Sequence, residues 1–446
     1  MTTINGSKKL HIVGGGLAGV EAAWRAQAHG IPVVLWEMKP HKFSPAHRNP
    51  NLAELVCSNS FRDQSPESAV GLLKEEMRRL GSIIMRAAAL SAVPAGKALA
   101  VDRELFSETL TNQIQNNPLI QIRREEYTQI SEDHRPLIIS AGPLATDAIT
   151  SEITKITGEN RLFFYDALAP IVTGESLDLN VLFSANRYME GEGDYLNAPF
   201  TEAEFSDFLN ALREADVVTP RAFEDQKYFE GCLPIEVMAE RGPKTLLFGP
   251  MKPVGLIDPR TQRRAHAVAQ LRRENIQGTL WNLVGFQTRL SRSAQEKVFR
   301  LIPGLSNCEF ARFGAIHRNT YLLAPEVLDE YQRLRRAPHI FLAGQISGVE
   351  GYVESAAQGL WAGENASRAF LGLPLVSPPR ETALGSLLSH LAPREKHQST
   401  FAPSNINFGL FPNVPEKFPK SQRATFRRQK ANEAWATFLS TINYVL

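Results

Sequence analysis

The stretch KLHIVGGGLAGVEAAWRAQAHGIPVVLWEMKP, residues 9–40, decides the fold. Its apolar start predicts a short strand at Leu10–Val13, and the alanine-rich part predicts a helix from Leu17 to about His29. A second apolar run predicts another strand at Val33–Trp36, which ends in Glu37. Strand, glycine turn, helix, strand and acid stand in the order of a dinucleotide-binding Rossmann unit.

The turn between the first strand and the helix carries three glycines in GxGxxG spacing, and the acid follows the last of them by 18 positions. Glycines there let the backbone approach a pyrophosphate, whose charge is stabilised by the helix N-terminus. The acid at the end of the second strand accepts hydrogen bonds from an adenosine ribose. The predicted cofactor-binding residues of this unit are Gly14, Gly15, Gly16, Leu17, Ala18, Gly19 and Glu37.

A second strand–glycine-turn–helix signal lies near the other end of the chain, in HIFLAGQISGVEGYVESAAQGLWAGENASRAF, residues 339–370. Such a late element commonly closes a flavin site, with the helix N-terminus facing the cofactor. Two separated glycine motifs with one Rossmann start favour FAD over NAD alone. The second set of predicted cofactor-binding residues is Gly344, Gln345, Gly351, Tyr352 and Glu354.

The return to this pattern predicts an α/β protein with a discontinuous first domain. The texture changes to mixed strands and helices from about residue 161, which we interpret as an inserted α+β domain. The expected layout is 1–160 for the first part, 161–305 for the insertion, 306–380 for the return segment and 381–446 for a basic tail with a helix. A chain of 446 residues is long enough for this organisation.

Bulk composition narrows the class of protein. The chain has 43% hydrophobic and 22% charged residues and a net charge of +2, and no run of 18 apolar residues occurs. The N-terminus has no apolar signal region, so we expect a cytoplasmic protein without a membrane partner. Three cysteines without a CxxC pair argue against a disulfide framework and a zinc site, and no metal is predicted.

Two of the three thiols stand in suggestive surroundings. In YFEGCLPIEVMAERG, residues 228–242, Pro234 suits a helix start, and Ile235–Glu240 with a glycine behind it reads as a short helix. Cys232 would then lie near the positive end of that helix, where a thiolate is favoured. Cys57 lies in a polar loop beside Ser58 and Arg62, unlike a core position.

Basic residues cluster in two places, PRTQRRAHAVAQLRRE at residues 259–274 and the segment after residue 416. The second cluster is interleaved with aromatic side chains, which suits phosphate contacts combined with base stacking. A solvated helix face and a docked tail explain the same composition. The candidate RNA contacts are Arg260, Arg263, Arg264, Arg272, Arg273, Arg423, Arg427 and Arg428.

Longer motifs then give a specific resemblance. LVCSNSFR, FYDALAPIV, DYLNAPF, EGCLPIEVMAERG, FGPMKPVGL, LVGFQTRL, AIHRNTY and GVEGYVES occur in order over roughly residues 10–370, and NINFGLFP extends them into the tail. In these motifs the chain resembles the folate- and FAD-dependent tRNA (uracil-5-)-methyltransferases. The resemblance implies an FAD-binding domain of the glutathione-reductase type with an insertion domain.

The resemblance also implies an activity. The family methylates carbon 5 of uridine 54 in the tRNA T-loop, with 5,10-methylenetetrahydrofolate as one-carbon donor, FAD as reductant and NAD(P)H to reduce the flavin. Its two cysteines match Cys57 and Cys232. A thiolate that adds to carbon 6 activates carbon 5, and a base must later remove the carbon 5 proton. We expect Cys232 to be the nucleophile and Cys57 the proton acceptor or a partner of flavin or nucleobase.

The same match places His317 against the folate pterin and Tyr352 near the flavin and folate. Cys308 matches no functional position and is expected to pack in the core. Three alternatives stay open: the same chemistry on ribosomal RNA, the related flavoenzyme that adds carboxymethylaminomethyl groups to wobble uridine, and an FAD- and RNA-binding module with little turnover. The wobble-uridine enzyme has a longer chain and different signatures. No obligatory protein partner is inferred.

Overall fold

The computed structural model describes residues 8–158, 162–189, 191, 193–218, 233–392, 401–415 and 418–442. Helices in these ranges are α1 Leu17–Ala28, α2 Ala69–Arg79, α3 Ile83–Leu90, α4 Arg103–Gln115, α5 Asp147–Thr157, α6 Glu202–Glu214, α7 Ile235–Glu240, α8 Pro243–Phe248, α9 Arg292–Phe299, α10 Ala324–Val327, α11 Tyr352–Phe370, α12 Ala383–Leu391 and α13 Arg423–Ile442.

The strands form two large and two small sheets. They are β1 Leu10–Val13, β2 Val33–Trp36, β3 Ser60–Asp63, β4 Ala92–Val93, β5 Ala98–Val101, β6 Ile120–Arg123, β7 Leu137–Ile139, β8 Leu162–Ala167, β9 Ile171–Thr173, β10 Phe183–Ser184, β11 Tyr195–Phe200, β12 Ala267–Arg273, β13 Leu280–Leu283, β14 Phe310–Arg312, β15 Ile316–Tyr321, β16 Arg333–Leu334 and β17 Ala337–Leu342.

The first large sheet has the order β16-β17-β7-β1-β2-β6, and every neighbouring pair except β16–β17 is parallel. The side chains of β1, β2 and β7 are almost fully buried, as expected for parallel strands covered on both faces. The predicted strands at residues 10–13 and 33–36 are confirmed, and so is the helix between them. The fold class predicted for this part of the chain is confirmed.

Helix α11 from the late glycine motif packs directly on α1 from the early one. The two backbones approach so closely that a Cβ atom at Gly359 would lie 2.2 Å from the Ala18 carbonyl oxygen. Strand β17, just ahead of α11, pairs with β7 in the first sheet. The late segment therefore completes the first domain, as the discontinuous layout predicts.

A buried ionic cluster ties α1 to α11. Arg25 Nε and His29 Nε2 each lie 2.8 Å from Glu364 Oε2, and Arg368 Nη1 lies 3.3 Å from Glu364 Oε1. Burial alone opposes the charge on Glu364, but the hydrogen bond from His29 and the positive charge of Arg25 lower its pKa to about 2. This carboxylate thus stays charged at neutral pH and holds the two helices together.

Removing the charge of Glu364 is expected to destabilise the first domain. Glu364→Gln leaves Arg25 buried without its anion, which costs about 3 kcal/mol in comparable buried pairs. Because the folded pKa is depressed, the contribution of this carboxylate is present above about pH 4.5 and is lost as the pH falls toward 2. Melting temperatures of variant and wild type should therefore differ most at neutral pH and converge in acid. The exposed pair Lys430–Glu433 offers a control, Glu433→Gln, expected to melt like wild type at every pH.

The second large sheet is antiparallel, with the order β10-β11-β12-β13-β9-β14. Its core includes Val172, Phe200, Leu271 and Phe286, and α6, α7 and α9 contribute Phe208, Ile235 and Phe299 to the same cluster. The predicted short helix at residues 235–240 is confirmed as α7, with Pro234 at its N-cap. This sheet is the inserted α+β unit.

A two-stranded ribbon of β8 and β15 joins the two units. Strand β14 at residues 310–312 still pairs with β9 of the second sheet, whereas β16 and β17 belong to the first. The chain therefore pairs with the first sheet again only after β15.

The C-terminal segment packs against the first domain. Trp435 on α13 is buried against Trp361 of α11, with 6.1 Å between ring centroids. The stretch 404–406 runs beside the loop ahead of α11: Glu350 N donates to Ser404 O at 3.0 Å, and Ile406 N donates to Glu354 Oε1 at 2.9 Å. This segment is a docked part of the first domain rather than a detached basic tail.

Candidate active site

A deep cleft opens at the carboxyl ends of β1, β2 and β7. Its empty space, including the solvent opening, is about 1160 Å³. The lining comes from the two glycine turns, from the loop after β7 and from the start of α11. Ligands of open α/β sheets bind at this edge of the strands, so the cleft is the leading ligand site of the described chain.

The early glycine turn forms one wall of the cleft. Gly14 has φ +98°, a backbone conformation that a larger residue rarely adopts, and a Cβ there would lie 2.4 Å from the Ser140 carbonyl oxygen. At Gly16 a Cβ would meet no protein atom within 4 Å, because this glycine faces the open cleft at the N-terminus of α1. An unfilled cradle beside the start of a helix suits the pyrophosphate of a dinucleotide.

Glu37 lies where the sequence predicts it, at the end of β2 in the cleft. One carboxylate oxygen accepts from Gly15 N at 3.0 Å and the other from Lys39 N at 2.9 Å. These bonds fix the carboxylate but use only part of its acceptor capacity. The residues present therefore fit the adenosine and pyrophosphate parts of FAD.

Most of the predicted cofactor-binding residues line this cleft. They are Gly14, Gly15, Gly16, Leu17, Ala18, Glu37, Gly344, Gln345 and Tyr352. Three do not. Gly19 lies behind the turn, where a Cβ would approach Gly14 O to 1.8 Å, and Gly351 precedes α11. Glu354 is fully buried and forms an ion pair with Arg62.

The Cys57 loop meets the start of α11. The Tyr352 hydroxyl oxygen accepts hydrogen bonds from Cys57 N at 2.7 Å and from Ser58 N at 3.1 Å. Burial raises the pKa of Tyr352, so the hydroxyl stays protonated and its proton remains available as a donor. Cys57 is half-buried, and its neighbours Val56 and Tyr352 line the cleft. The loop thus places Cys57 next to two residues that line the cleft.

Positive charge surrounds the Cys57 loop. Arg103 donates to the carbonyl oxygen of Cys57 at 3.3 Å, and Arg312 lies nearby. Burial, followed by the charge of Arg103, lowers the pKa of Arg312. Such surroundings favour the binding of a substrate anion.

The other two cysteines differ. Cys308 is fully buried, and burial raises its pKa to about 11, which confirms that it packs in the core as an unreactive thiol. Cys232 lies outside the described residues. Helix α7, which follows it, has only six residues.

His317 lies on β15, half-buried, directly across the ribbon from Asp166. Burial lowers its pKa, and the positive charges of Arg312 and Arg48 lower it further, so the imidazole is neutral at physiological pH. A neutral, partly exposed ring can stack on a flat heterocycle without the cost of desolvating a charge. These observations support the expected folate contact.

The basic residues named from the sequence fall into distinct environments. Arg263 and Arg264 are exposed. Two arginines form ion pairs: Arg260 with Asp258, and Arg428 with Glu67; Arg260 also donates to two backbone carbonyls. Two others stack on aromatic rings: Arg273 on Trp281, and Arg427 on Phe408. Arg423 donates to Phe418 O. Arg272 is only 6% exposed and is bonded inside the protein. Its burial removes Arg272 from the set that can reach a phosphate.

Sequence reasoning missed several residues of the site. The loop after β7, residues 140–146, lines the cleft, and the glycine turn at Gly142 was its only sequence signal. Lys39 and His47 line it as well, from a segment without a recognisable motif. Arg103 and Glu350 reach this region only through tertiary packing. Burial and the negative charge of Asp166 raise the pKa of Glu350 well above its usual value, although the hydrogen bond that Gln345 donates opposes this shift.

The parallel sheet, the glycine cradle and the acid at the end of β2 define a dinucleotide-binding α/β flavoprotein fold. Solved structures agree: Aquifex aeolicus GidA matches 100% of this chain and 75% of its own length, with a TM-score of 0.72 at 15% identity in one crystal form, and a TM-score of 0.67 at 16% identity in the other. The family model of glucose inhibited division protein A matches residues 9–374.

Closer relatives specify the family. The methylenetetrahydrofolate–tRNA-(uracil-5-)-methyltransferase TrmFO of Desulfotalea psychrophila is 51% identical over 99% of this chain and 98% of its own. That of Geotalea uraniireducens is 55% identical over 95% and 97%, respectively. The chain belongs to the family of methylenetetrahydrofolate–tRNA-(uracil-5-)-methyltransferases, which confirms the resemblance found in its motifs. Across the described residues, no helix is long and apolar enough to span a membrane.

Proposed function

We propose that this chain methylates carbon 5 of uridine 54 in the tRNA T-loop, with 5,10-methylenetetrahydrofolate as one-carbon donor. The observation that carries the proposal is the Cys57 loop bonded to Tyr352, a residue that lines the same cleft as the glycine cradle and Glu37. A thiol beside a dinucleotide site suits a reaction that needs both a sulfur group and a reductant.

The cleft would hold FAD through the glycine turn, Glu37 and the start of α11. When bound, reduced FAD supplies the hydride that converts the transferred methylene into a methyl group. The glycine cradle beside Glu37 and the late glycine motif support this cofactor. NADH or NADPH is the proposed electron source, and the chain offers no feature that selects one of them.

The protein's own groups would act on the uracil. Cys232 adds to carbon 6 as a thiolate, which makes carbon 5 nucleophilic toward the one-carbon donor. A base then takes the proton from carbon 5, and the bond between the one-carbon unit and its donor breaks. Hydride addition to the methylene completes the methyl group, and the carbon 6–sulfur bond breaks to release the product and the thiolate. Cys57 is the proposed base because its thiol is half-exposed and lies among positive groups.

His317 and Tyr352 are the proposed folate contacts. A neutral imidazole on β15 would stack on the pterin, and the Tyr352 hydroxyl, whose oxygen already accepts two backbone bonds, still has a proton to donate. Tyr352 lines the cleft at the start of α11, and His317 lies on the ribbon strand β15. The target base has to leave its stack to reach this depth.

The direct test is an assay of purified protein with methylenetetrahydrofolate, NAD(P)H and unmodified tRNA, followed by mapping of the methylated nucleotide. The expected product is 5-methyluridine at position 54. If the protein instead methylates ribosomal RNA supplied in place of tRNA, or if a wobble uridine carries a carboxymethylaminomethyl group, the corresponding alternative substrate replaces the T-loop uridine. Tight RNA and FAD binding without any modified base would support the non-catalytic module.

The exposed arginines of the second unit are expected to contact RNA phosphates. Replacing Arg263 and Arg264 together by glutamine should reduce the magnitude of the negative slope of log affinity against log salt by roughly one to two. Each lost phosphate contact means that fewer counterions are released when the RNA binds. Filter binding of tRNA at several salt concentrations measures the slope. Arg333→Gln, which removes an arginine paired with Asp329 at the edge of the first sheet, is the control and should keep the wild-type slope. An unchanged slope in the double variant would exclude these two residues as phosphate contacts.

A further inference from the structure

Hydrogen bonds from both units of the protein hold the loop at residues 55–59. Tyr352, at the start of α11, accepts from the backbone N–H groups of Cys57 and Ser58. Further bonds to this loop come from Arg103 at the start of α4 and from β12 of the second sheet. The position of the thiol therefore depends on a strand that belongs to the inserted unit.

Arg272 on β12 holds the part of the loop that follows Cys57. Its Nε donates to Asn59 Oδ1 at 2.8 Å, and its Nη2 donates to Ser58 Oγ at 2.8 Å. Asn59 is fully buried, and its amide nitrogen donates back to Arg273 O at 2.8 Å and to Val101 O at 2.9 Å. A buried guanidinium with both bonds directed at one loop fixes that loop in place.

Glu274, just after β12, acts on the part of the loop that leads to Cys57. It forms a two-point ion pair with Arg103, with Nη2 3.1 Å from Glu274 Oε1. The same guanidinium donates from Nη1 to Leu55 O at 2.7 Å and from Nη2 to Cys57 O at 3.3 Å. Glu274 is 4% exposed, so solvent screens this pair little.

These bonds go to backbone atoms and to neighbouring side chains on both sides of Cys57. Cys57 is half-buried, and none of these hydrogen bonds involves its sulfur atom. Holding a reacting group through its neighbours leaves it free to react, and a displacement of about 1 Å can cost about 100-fold in rate. The arrangement is that of a positioned group and not of a core residue.

We propose that Arg272, and Glu274 acting through Arg103, are positioning residues that set the place of the Cys57 thiol from the second sheet. This inference rests on the proposed function, in which Cys57 takes part in uridine methylation. It replaces the expectation that Arg272 contacts RNA phosphates. It also makes the insertion domain a working part of the site at the first domain.

The test compares Arg272→Met, Arg272→Lys and Ser58→Ala with wild type in the FAD-loaded full chain. Iodoacetamide alkylation of Cys57, followed by mass spectrometry of its peptide between pH 6 and 10, reports the thiol directly and needs no RNA. Arg272→Met should change the alkylation rate constant by roughly fivefold or more at a given pH, or shift the pH midpoint of the reaction. Arg272→Lys should recover part of the difference. Ser58→Ala removes only one acceptor, so it should fold normally and change the rate in the same direction.

Arg187→Met is the matched control, since Arg187 also bonds to β12, through Gln270, but does not touch the loop. Its alkylation rate should equal that of wild type. Methylation kinetics separate the two readings of Arg272. A positioning role lowers kcat by about tenfold or more with little change in the KM for tRNA, whereas a phosphate contact raises KM and lowers the salt slope.

Wild-type alkylation of Cys57 in both Arg272→Met and Ser58→Ala would overturn the proposal, and so would a raised KM with an unchanged kcat. If Arg272→Met does not fold, Ser58→Ala and Arg272→Lys decide the outcome. If the wild-type protein fails to methylate tRNA, the alkylation series still decides whether Arg272 positions the thiol. Failure of the proposed function is thereby distinguished from failure of this inference.

Discussion

Gly16→Val is expected to yield a folded protein that no longer retains FAD. A Cβ at Gly16 would meet no protein atom within 4 Å, and the backbone there, with φ −78°, strains no side chain. The valine side chain would instead fill the cradle that the pyrophosphate needs. We expect the affinity for FAD to fall by about 100-fold or more, equivalent to about 3 kcal/mol. Flavin absorbance of the purified variant and titration of its apoprotein measure the loss.

The stability of the apoprotein is the control for this variant. Gly16→Val without FAD should melt within a few degrees of wild-type apoprotein. Gly19→Val should melt much earlier, because a Cβ there would lie 1.8 Å from Gly14 O. Gly16→Ala should weaken FAD binding less than valine does. Wild-type FAD binding in Gly16→Val would show that the cofactor does not pass over this turn.

Cys232→Ala is expected to abolish uridine methylation while FAD stays bound. Loss of the nucleophile of a covalent reaction typically costs about 10³-fold or more in rate. Cys232 lies outside the described residues, and the six-residue helix α7 is too short to make a strong case for a lowered pKa. The assignment therefore depends on the motif EGCLPIE. The measurements are methylated product per enzyme and flavin content per chain.

A trapped adduct can separate the two thiols. RNA with 5-fluorouridine at the target has no proton to lose at carbon 5, so a thiol added at carbon 6 stays attached. A denaturing gel should show the adduct for wild type and for Cys57→Ala, and none for Cys232→Ala. The buried Cys308→Ala variant is the control and should methylate normally. An adduct in Cys232→Ala that disappears in Cys57→Ala would exchange the two roles.

The first sheet was predictable because its signals are local. Strand, glycine turn, helix and acid follow one another within 32 residues, and each obeys a simple periodicity. The second sheet was not predictable in detail, since β9 at residue 171 pairs with β13 at 280 and β14 at 310. Pairing over such separations leaves no pattern in a local window.

The candidate site divides in the same way. Gly14, Gly16 and Glu37 were predicted from spacing, and Cys57 from its polar loop and its motif. The partners of the Cys57 loop were not predictable, because Arg103 and Arg272 reach Cys57 and Ser58, respectively, from distant parts of the chain. Arg272 and Arg273 are the same residue type at consecutive positions of β12, but the side chains of successive strand residues point to opposite faces of a sheet. One enters the interior and the other stacks on Trp281.

The discontinuous first domain also constrains how the protein is made. Strand β7 is synthesised roughly 200 residues before its neighbour β17, and α1 still longer before α11. At roughly 5–20 residues per second the ribosome takes roughly 10–40 s to cover that distance. During this time β7 presents an unpaired edge and α1 an uncovered apolar face, while the inserted unit can already fold. The nucleotide site consequently cannot be completed until α11 has been synthesised, and chains terminated before that point carry its exposed half.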